Sequence, residues 1–276
     1  MGAEDFVITF WGARGSLPAS GEQYLHVGGN TACIHVRCGG KDLVFDAGSG
    51  APALGKAIID RGVDELQLFF SHSHYDHVLG LPFFEPLFDP RVAVTVWAGH
   101  LFGSMGAREM VHAFLNAPWT ERNGHVDDLG VTFKDFEPGT LLDVGGGIRI
   151  KTAAINHPGG CVGYRIQFGG RAAAFVYDIE HMPGALDPVA LDLMNGADLV
   201  VYDSAYDDSE METFRNFGHS SWQQGIRLAT VAGAKRLALF HHMPERTDLQ
   251  LLEIEQKAKA LMPTAFLARQ GLVVRL

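Results

Sequence analysis

The stretch Ser-His-Ser-His-Tyr-Asp-His at positions 71–77 places three imidazoles and a carboxylate within six residues, directly after the apolar run Leu-Gln-Leu-Phe-Phe at 66–70. A lone histidine is most often a solvated surface residue, but four ligand-type side chains at a strand end form a metal-binding pattern. His72 and His74 stand two apart, so on an extended or looped backbone they point the same way, while Asp76 and His77 turn off in a second direction. Two adjacent centres follow from that arrangement. A His/Asp set without thiolate suits zinc, manganese or iron, and the residue types do not choose among them.

Two divalent metal ions need more donors than one loop holds. Further candidates stand at the ends of strand-like runs downstream: His157 after IRIKTAAIN and before Pro-Gly-Gly, Asp178 closing AAAFVYD, and His241 closing RLALF. The expected arrangement puts His72, His74 and His157 on one ion and Asp76, His77 and His241 on the other, with Asp178 between them. An open position then remains for a water that a metal pair ionises near neutral pH. His242 competes with His241, since strand alternation sends only one of the two to the metal side.

The elements that must position these residues alternate β-rich runs with amphipathic stretches, without a Pro- or Ser-rich linker or a low-complexity tract. Strands are predicted at 6–12, 32–38, 42–48, 66–70 and 92–98, and in the second half at VTFKDF, GIRIKTAAI, CVGYRIQF, AAAFVYD, DLVVYD, RLALFH and LVVRL. Helices are predicted at 51–62, within 101–116, and at 187–196, 220–233 and 245–262. Each half runs through strands and then through strand and helix in turn, so the expected fold is α/β: one domain over 1–276 with four helix-sheet-sheet-helix (αββα) layers.

The chain has 276 residues, 47% of them hydrophobic, and carries a formal charge of -10. That balance offers no basic surface to a polyanion, so a small substrate is expected and a long nucleic acid disfavoured. No apolar run approaches the roughly 20 residues needed to cross a bilayer, so no membrane association is expected. The start MGAEDFVITF lacks the basic flank of a signal peptide, which makes a cytoplasmic location the expectation. Cys33, Cys38 and Cys161 form no metal-type spacing and are expected to be buried free thiols.

SHSHYDH resembles the H-x-H-x-D-H signature of the metallo-β-lactamase superfamily, and His157, Asp178 and His241 fall in the order of its later motifs; the resemblance also selects His241 over His242. GGNTACIHVRCGGKDLVFDAGSG at 28–50 resembles the superfamily's N-terminal region, where the aspartate corresponding to Asp46 orients a ligand; Asn30 reads as a turn residue. Phe-Gly-His-Ser-Ser at 217–221 is similar to the Gly-His-Ser/Thr motif of the RNase Z-like phosphodiesterase branch. That likeness implies catalytic roles for Asp76, for His219 as the acid that protonates the leaving oxygen, and for Asp203 as its support. The tRNA-processing members carry a long arm between the residues matching His157 and Asp178, whereas here a strand pair fills the interval. The layout looks closer to cyclic-nucleotide-phosphodiesterase-like hydrolases, which implies a small phosphodiester substrate and a homodimer. Other readings are a thioesterase or lactonase of the same fold, an RNase Z-like nuclease, and a non-catalytic metal-holding sensor.

Segment 81–130 reads as an insertion near the site, with Phe83, Phe84, Phe88, Phe114 and Trp119 placed either to stack a base or to pack the core. His26, His35, His100, His112 and His125 read as structural or solvated; His181, three residues past Asp178, stands within reach of the pocket rim but is not taken as a site residue.

Overall fold

The computed structural model describes residues 5–118, 120, 130–182 and 184–276. The first half of the chain supplies β1 (Val7–Gly12), β2 (Cys33–Cys38), β3 (Lys41–Phe45), β4 (Glu65–Phe70), β5 (Ala93–Ala98) and β6 (Thr132–Asp135). The second supplies β7 (Leu141–Asp143), β8 (Arg149–Ile155), β9 (Cys161–Phe168), β10 (Arg171–Val176), β11 (Leu199–Asp203), β12 (Leu237–Phe240) and β13 (Ala265–Leu267), before β14 (Val273–Arg275) returns to the first sheet. The sheets are ordered β14-β1-β2-β3-β4-β5-β6 and β13-β12-β11-β10-β9-β8-β7. In each, an antiparallel half gives way to a parallel half: β3 through β6 in one, β10 through β13 in the other.

Helices α1 (Ala51–Asp60), α2 (Tyr75–Val78), α3 (Ala107–Leu115), α4 (Pro188–Met194), α5 (Trp222–Val231) and α6 (Asp248–Leu261) complete the layers. Between the sheets lies an aromatic core in which Phe45 stacks on Phe69 at 5.0 Å and meets Phe175 of the opposite sheet edge-on at 4.9 Å. The outer face of the first sheet is covered by Ala51, Leu54 and Ile58 of α1 and by Met110, Val111 and Leu115 of α3. The outer face of the second is covered by apolar residues of α4, α5 and α6. Helix, sheet, sheet and helix thus stack as the sequence pattern requires. No helix among the described residues is long and apolar enough to cross a membrane, and all three cysteines are buried free thiols.

Two differences from the sequence-based elements matter for the site. Three predicted strands stop early: β3 at Phe45, β10 at Val176 and β12 at Phe240. Just beyond these ends Asp46, Asp178 and His241 take positive φ values of 60°, 58° and 61°, a region that turns the chain sharply and that non-glycine residues rarely adopt. In addition, β7 and β13 were not anticipated; Leu141–Asp143 and Ala265–Leu267 are short edge strands that do not stand out from their flanking sequence as an apolar run. Segment 81–130 contains β5, which lies between β4 and β6 in the first sheet, so that part of it belongs to the sheet itself.

Candidate metal centre

The parallel halves bring the C-terminal ends of β3 and β4 opposite those of β8, β10, β11 and β12, and every sequence-predicted site residue lies at or just after one of these ends or in the loop before α5. The 71–77 stretch changes backbone type midway. His74 is extended (φ -64°, ψ 154°) and caps the one-turn helix α2, which swings Asp76 and His77 away from His72 and His74.

The donor atoms of His72, His74 and His157 lie within 4.8 Å of one another; so do those of Asp76, His77 and His241, and a further set joins His72, His77 and Asp178. His157 Nε2 is 3.0 Å from His74 Nδ1. Asp178 stands between the sets, with Oδ1 3.1 Å from His241 Nε2 and 3.9 Å from His72 Nε2, and Oδ2 3.4 Å from His77 Nε2. Asp76 Oδ2 is 3.1 Å from His241 Nε2 and 3.2 Å from His77 Nε2. His242 turns the other way, donating from Nε2 to the Ala268 carbonyl at 3.0 Å, and burial pulls its pKa down to about 3.

The donor set fits divalent cations. His72 Nε2, His77 Nε2 and Asp178 Oδ2 are buried and have no hydrogen-bond partner, an expensive state for polar atoms unless a cation shares them. Burial alone would raise the Asp178 pKa, but the facing imidazoles of His241, His77 and His72 outweigh it and hold the carboxyl well below its ordinary range. Burial would likewise lower His77 and His241, yet the carboxylates of Asp76 and Asp178 push both well above the usual imidazole value. His72 goes the opposite way, lowered by burial and then by the charge of His77. A bound divalent ion would take the place of any proton shared between these imidazoles and carboxylates.

A supporting layer fixes these side chains. Asp46 is fully buried and accepts from the Ser71 backbone N (2.8 Å), Ser71 Oγ (2.8 Å), Tyr177 OH (2.9 Å) and His77 Nδ1 (2.9 Å). The last of these leaves His77 Nε2 facing Asp76 and Asp178. His157 Nδ1 donates to the Gly218 carbonyl at 2.7 Å, which turns its Nε2 inward. His219 Nδ1 donates to Asp203 Oδ2 at 3.0 Å, and Asp203 is fully buried. The His219 ring lies 4.6 Å from that of His241 and its Nδ1 3.7 Å from Asp178 Oδ1, so the pair borders the cluster.

Several contributors escaped the sequence reading. Ser16, at φ 61°, donates its backbone N to Asp76 Oδ2 at 2.8 Å. A Cβ on Gly15 would lie 2.1 Å from His241 ring atoms, and one on Gly218 2.3 Å from His157 Nδ1, so both positions need glycine for close approach. The signal was present in the Gly-Ser and Gly-His-Ser runs, but only the ring packing gives it meaning. His100, at the end of β5, has neither ring nitrogen hydrogen-bonded, and burial together with the charges of His74 and His77 pulls its pKa to about 4. Of the two expectations for it, structural or solvated, the burial fits the structural one, close enough to the centre to feel the charges of His74 and His77. His35 pairs with Asp42 at 2.6 Å, His26 accepts from Arg269 at 2.7 Å, and His181 Nε2 is tied to Tyr202 OH at 2.5 Å while its ring lines a groove with Glu180. His112 meets Phe133 ring to ring at 6.2 Å; His125 and Trp119 lie outside the described residues.

The aromatics of 81–130 divide. Phe84 and Phe88 belong to the outer core of the first sheet. Phe83, Phe114 and Tyr75 line an apolar groove of about 610 Å³ together with Leu81, Met105 and Met110. Ser73 and Tyr75, which alternate with His72, His74 and Asp76, are also among its lining residues.

Residues 42–242 match the family model described as a beta-lactamase superfamily domain, a span that contains every side chain of the centre. The chain belongs to the metallo-β-lactamase superfamily. Its curated relatives include proteins named ribonuclease BN and ribonuclease Z. It is 27% identical to a ribonuclease BN from Enterobacter sp. (strain 638), with 84% of this chain and 88% of the relative covered, and 23% identical to a ribonuclease Z from Gemmatimonas aurantiaca, with 98% and 96% covered. Among solved structures, the metallo-beta-lactamase fold protein YhfI from Bacillus subtilis superposes with a TM-score of 0.72 at 19% identity, covering 99% of this chain and 100% of that one. A diphosphatase from the PhnP family superposes at 0.67 and 18%, covering 99% and 97%. These superpositions show a shared fold; the family match and the ribonuclease relatives make this superfamily member a metal-dependent hydrolase.

Proposed function

We propose that the chain is a dinuclear metal-dependent phosphodiesterase acting on a small phosphodiester, cyclic or linear. The observation that carries this reading is the His219–Asp203 pair at the edge of a seven-residue His/Asp centre: thioester and lactone hydrolysis does not require such an acid. His72, His74 and His157 would hold one ion, and Asp76, His77 and His241 the other, with Asp178 shared and zinc favoured over manganese or iron. Bound there, divalent ions supply Lewis-acid polarisation of phosphoryl oxygens and an acidified water. The chain's own residues do the rest. Asp76, held by the Ser16 amide and His241, orients the attacking side. His219, with Nδ1 fixed on Asp203, presents Nε2 to the leaving oxygen and gives it a proton, and the Asp203 carboxylate holds the ring in that orientation. The groove of Tyr75, Phe83 and Phe114 accepts a ring-sized substituent such as a base.

The names of the ribonuclease relatives favour a second reading, a nuclease. Against it, β9 and β10 fill the interval 157–178 with only a Gly169–Gly170 turn between them, leaving no room for an arm, and the charge of -10 gives a polyanion little attraction. A cytoplasmic homodimer belongs to the same proposal. The test is metal analysis of the purified chain followed by turnover on cyclic and linear phosphodiesters, precursor tRNA, thioesters and lactones. Turnover confined to small phosphodiesters is expected; preference for a thioester or lactone would refute the proposal, and efficient tRNA maturation would restore the nuclease.

A further inference from the structure

We infer that Glu180 is a positioning residue that sets two functional histidines, His157 and His219, through a single carboxylate; this deepens the metal-dependent reading above and rests on it. Glu180 lies two residues past Asp178, and its backbone is locked to the residue that follows β8. Its N donates to the Asn156 carbonyl at 2.9 Å, and its own carbonyl accepts from Asn156 Nδ2 at 2.9 Å. From this anchored base the side chain reaches the loop before α5. Oε1 accepts from the Asn216 backbone N at 2.7 Å and Oε2 from the Gly218 backbone N at 2.9 Å.

What that loop carries gives the contact its consequence. The Gly218 carbonyl accepts from His157 Nδ1 at 2.7 Å, which keeps the proton on Nδ1 and leaves the Nε2 lone pair 3.0 Å from His74 Nδ1 and 4.0 Å from Asp178 Oδ1. There is little slack, since a Cβ on Gly218 would already lie 2.3 Å from His157 Nδ1. The next residue is His219, whose ring must reach Asp203. Asn216 holds φ 70°, a left-handed turn that asparagine accepts readily and that aims its N–H at Oε1. The chemistry needs a carboxylate, because two N–H groups converge and only an ionised acid offers two acceptor oxygens and no donor. A glutamine would satisfy one amide and turn its NH₂ against the other.

The test compares the wild-type chain with Glu180→Gln, which keeps the volume, and with Glu180→Ala. In metal titrations one of the two ions is expected to bind 10–100-fold more weakly, the usual effect of losing a residue that orients a ligand, while the other is retained. In ¹⁵N spectra the His157 Nδ1–H signal should broaden or vanish while that of His77 persists. Amide exchange should quicken at Asn216 and Gly218 with β10, β11 and β12 still protected. Turnover should fall further on a diester with an alkoxide leaving group than on a nitrophenyl diester, because His219 is displaced too. Unchanged metal affinity and an unchanged His157 signal in both variants would overturn the inference. So would loss of protection across β10–β12 with both ions lost together, which marks a merely structural staple. A wild-type chain that takes up no divalent metal would sink the metal reading and this inference with it. A wild-type chain that binds metal but cleaves no phosphodiester would sink only the proposed substrate, and the metal and ring readouts then decide Glu180 alone.

Discussion

Replacing His219 with alanine should separate substrates by their leaving groups. A general acid matters in proportion to the proton the leaving oxygen needs: nitrophenolate departs as a stable anion, whereas the alkoxide of a ribose does not. Proton donation of this kind contributes roughly 10²–10⁴-fold, so the variant should lose about that much on a ribose-type diester and less than about tenfold on bis(p-nitrophenyl) phosphate. Asp203 sets the expected gradation. Its bond to His219 Nδ1 is 3.0 Å long and fully buried on the carboxylate side. A hydrogen bond to a charged group contributes about 1.5–3 kcal/mol, or roughly 10- to 150-fold in rate at 1.36 kcal/mol per decade. Asp203→Asn should therefore show the same selectivity at that smaller scale. Steady-state rates on the two diesters, with metal content measured in parallel, decide the matter. Equal losses on both substrates with metals retained would refute acid catalysis and leave His219 as an electrostatic phosphate contact.

Asp178 faces both ligand sets, so Asp178→Ala should release both ions while His157→Ala affects mainly one; two tightly held equivalents in the first variant, by elemental analysis, would rule out bridging. His241→Ala should lose metal and His242→Ala keep it, because His242 is spent on the Ala268 carbonyl; the reverse result would overturn the assignment. Binding of a single phosphodiester should depend only shallowly on salt, whereas a contact with several phosphates falls steeply, so salt-sensitive precursor-tRNA processing would contradict the small-substrate reading.

The architecture was legible because both periodicities were strong: the core strands carry Phe45, Phe69, Phe175 and Phe240 at inward positions, and the helices have continuous apolar faces. The ligand-type residues were legible for a different reason. They cluster in one loop or stand at the last position of an apolar run, so the topology alone draws them to one edge. Contributions made by backbone were invisible. The Ser16 amide on Asp76, the Gly218 carbonyl on His157 and the room that Gly15 leaves for His241 depend on loop paths that no side-chain type reports. Which of the two readings of His100 holds, structural or solvated, depended on burial that a lone histidine in sequence does not report.

The left-handed backbone at Asp46, Asp178 and His241 has a consequence for how variants of this centre report. An alanine at any of these three positions removes a functional group and also inherits a conformation that disfavours an L-residue by about 1–2 kcal/mol. Asparagine tolerates that region far better, so at Asp46 and Asp178 an asparagine subtracts the charge and leaves the turn intact. A glycine subtracts the side chain and relaxes the turn, while loosening the unfolded chain. Alanine, asparagine and glycine at one position therefore form a small basis set, from which the share of a phenotype owed to chemistry can be read apart from the share owed to backbone strain.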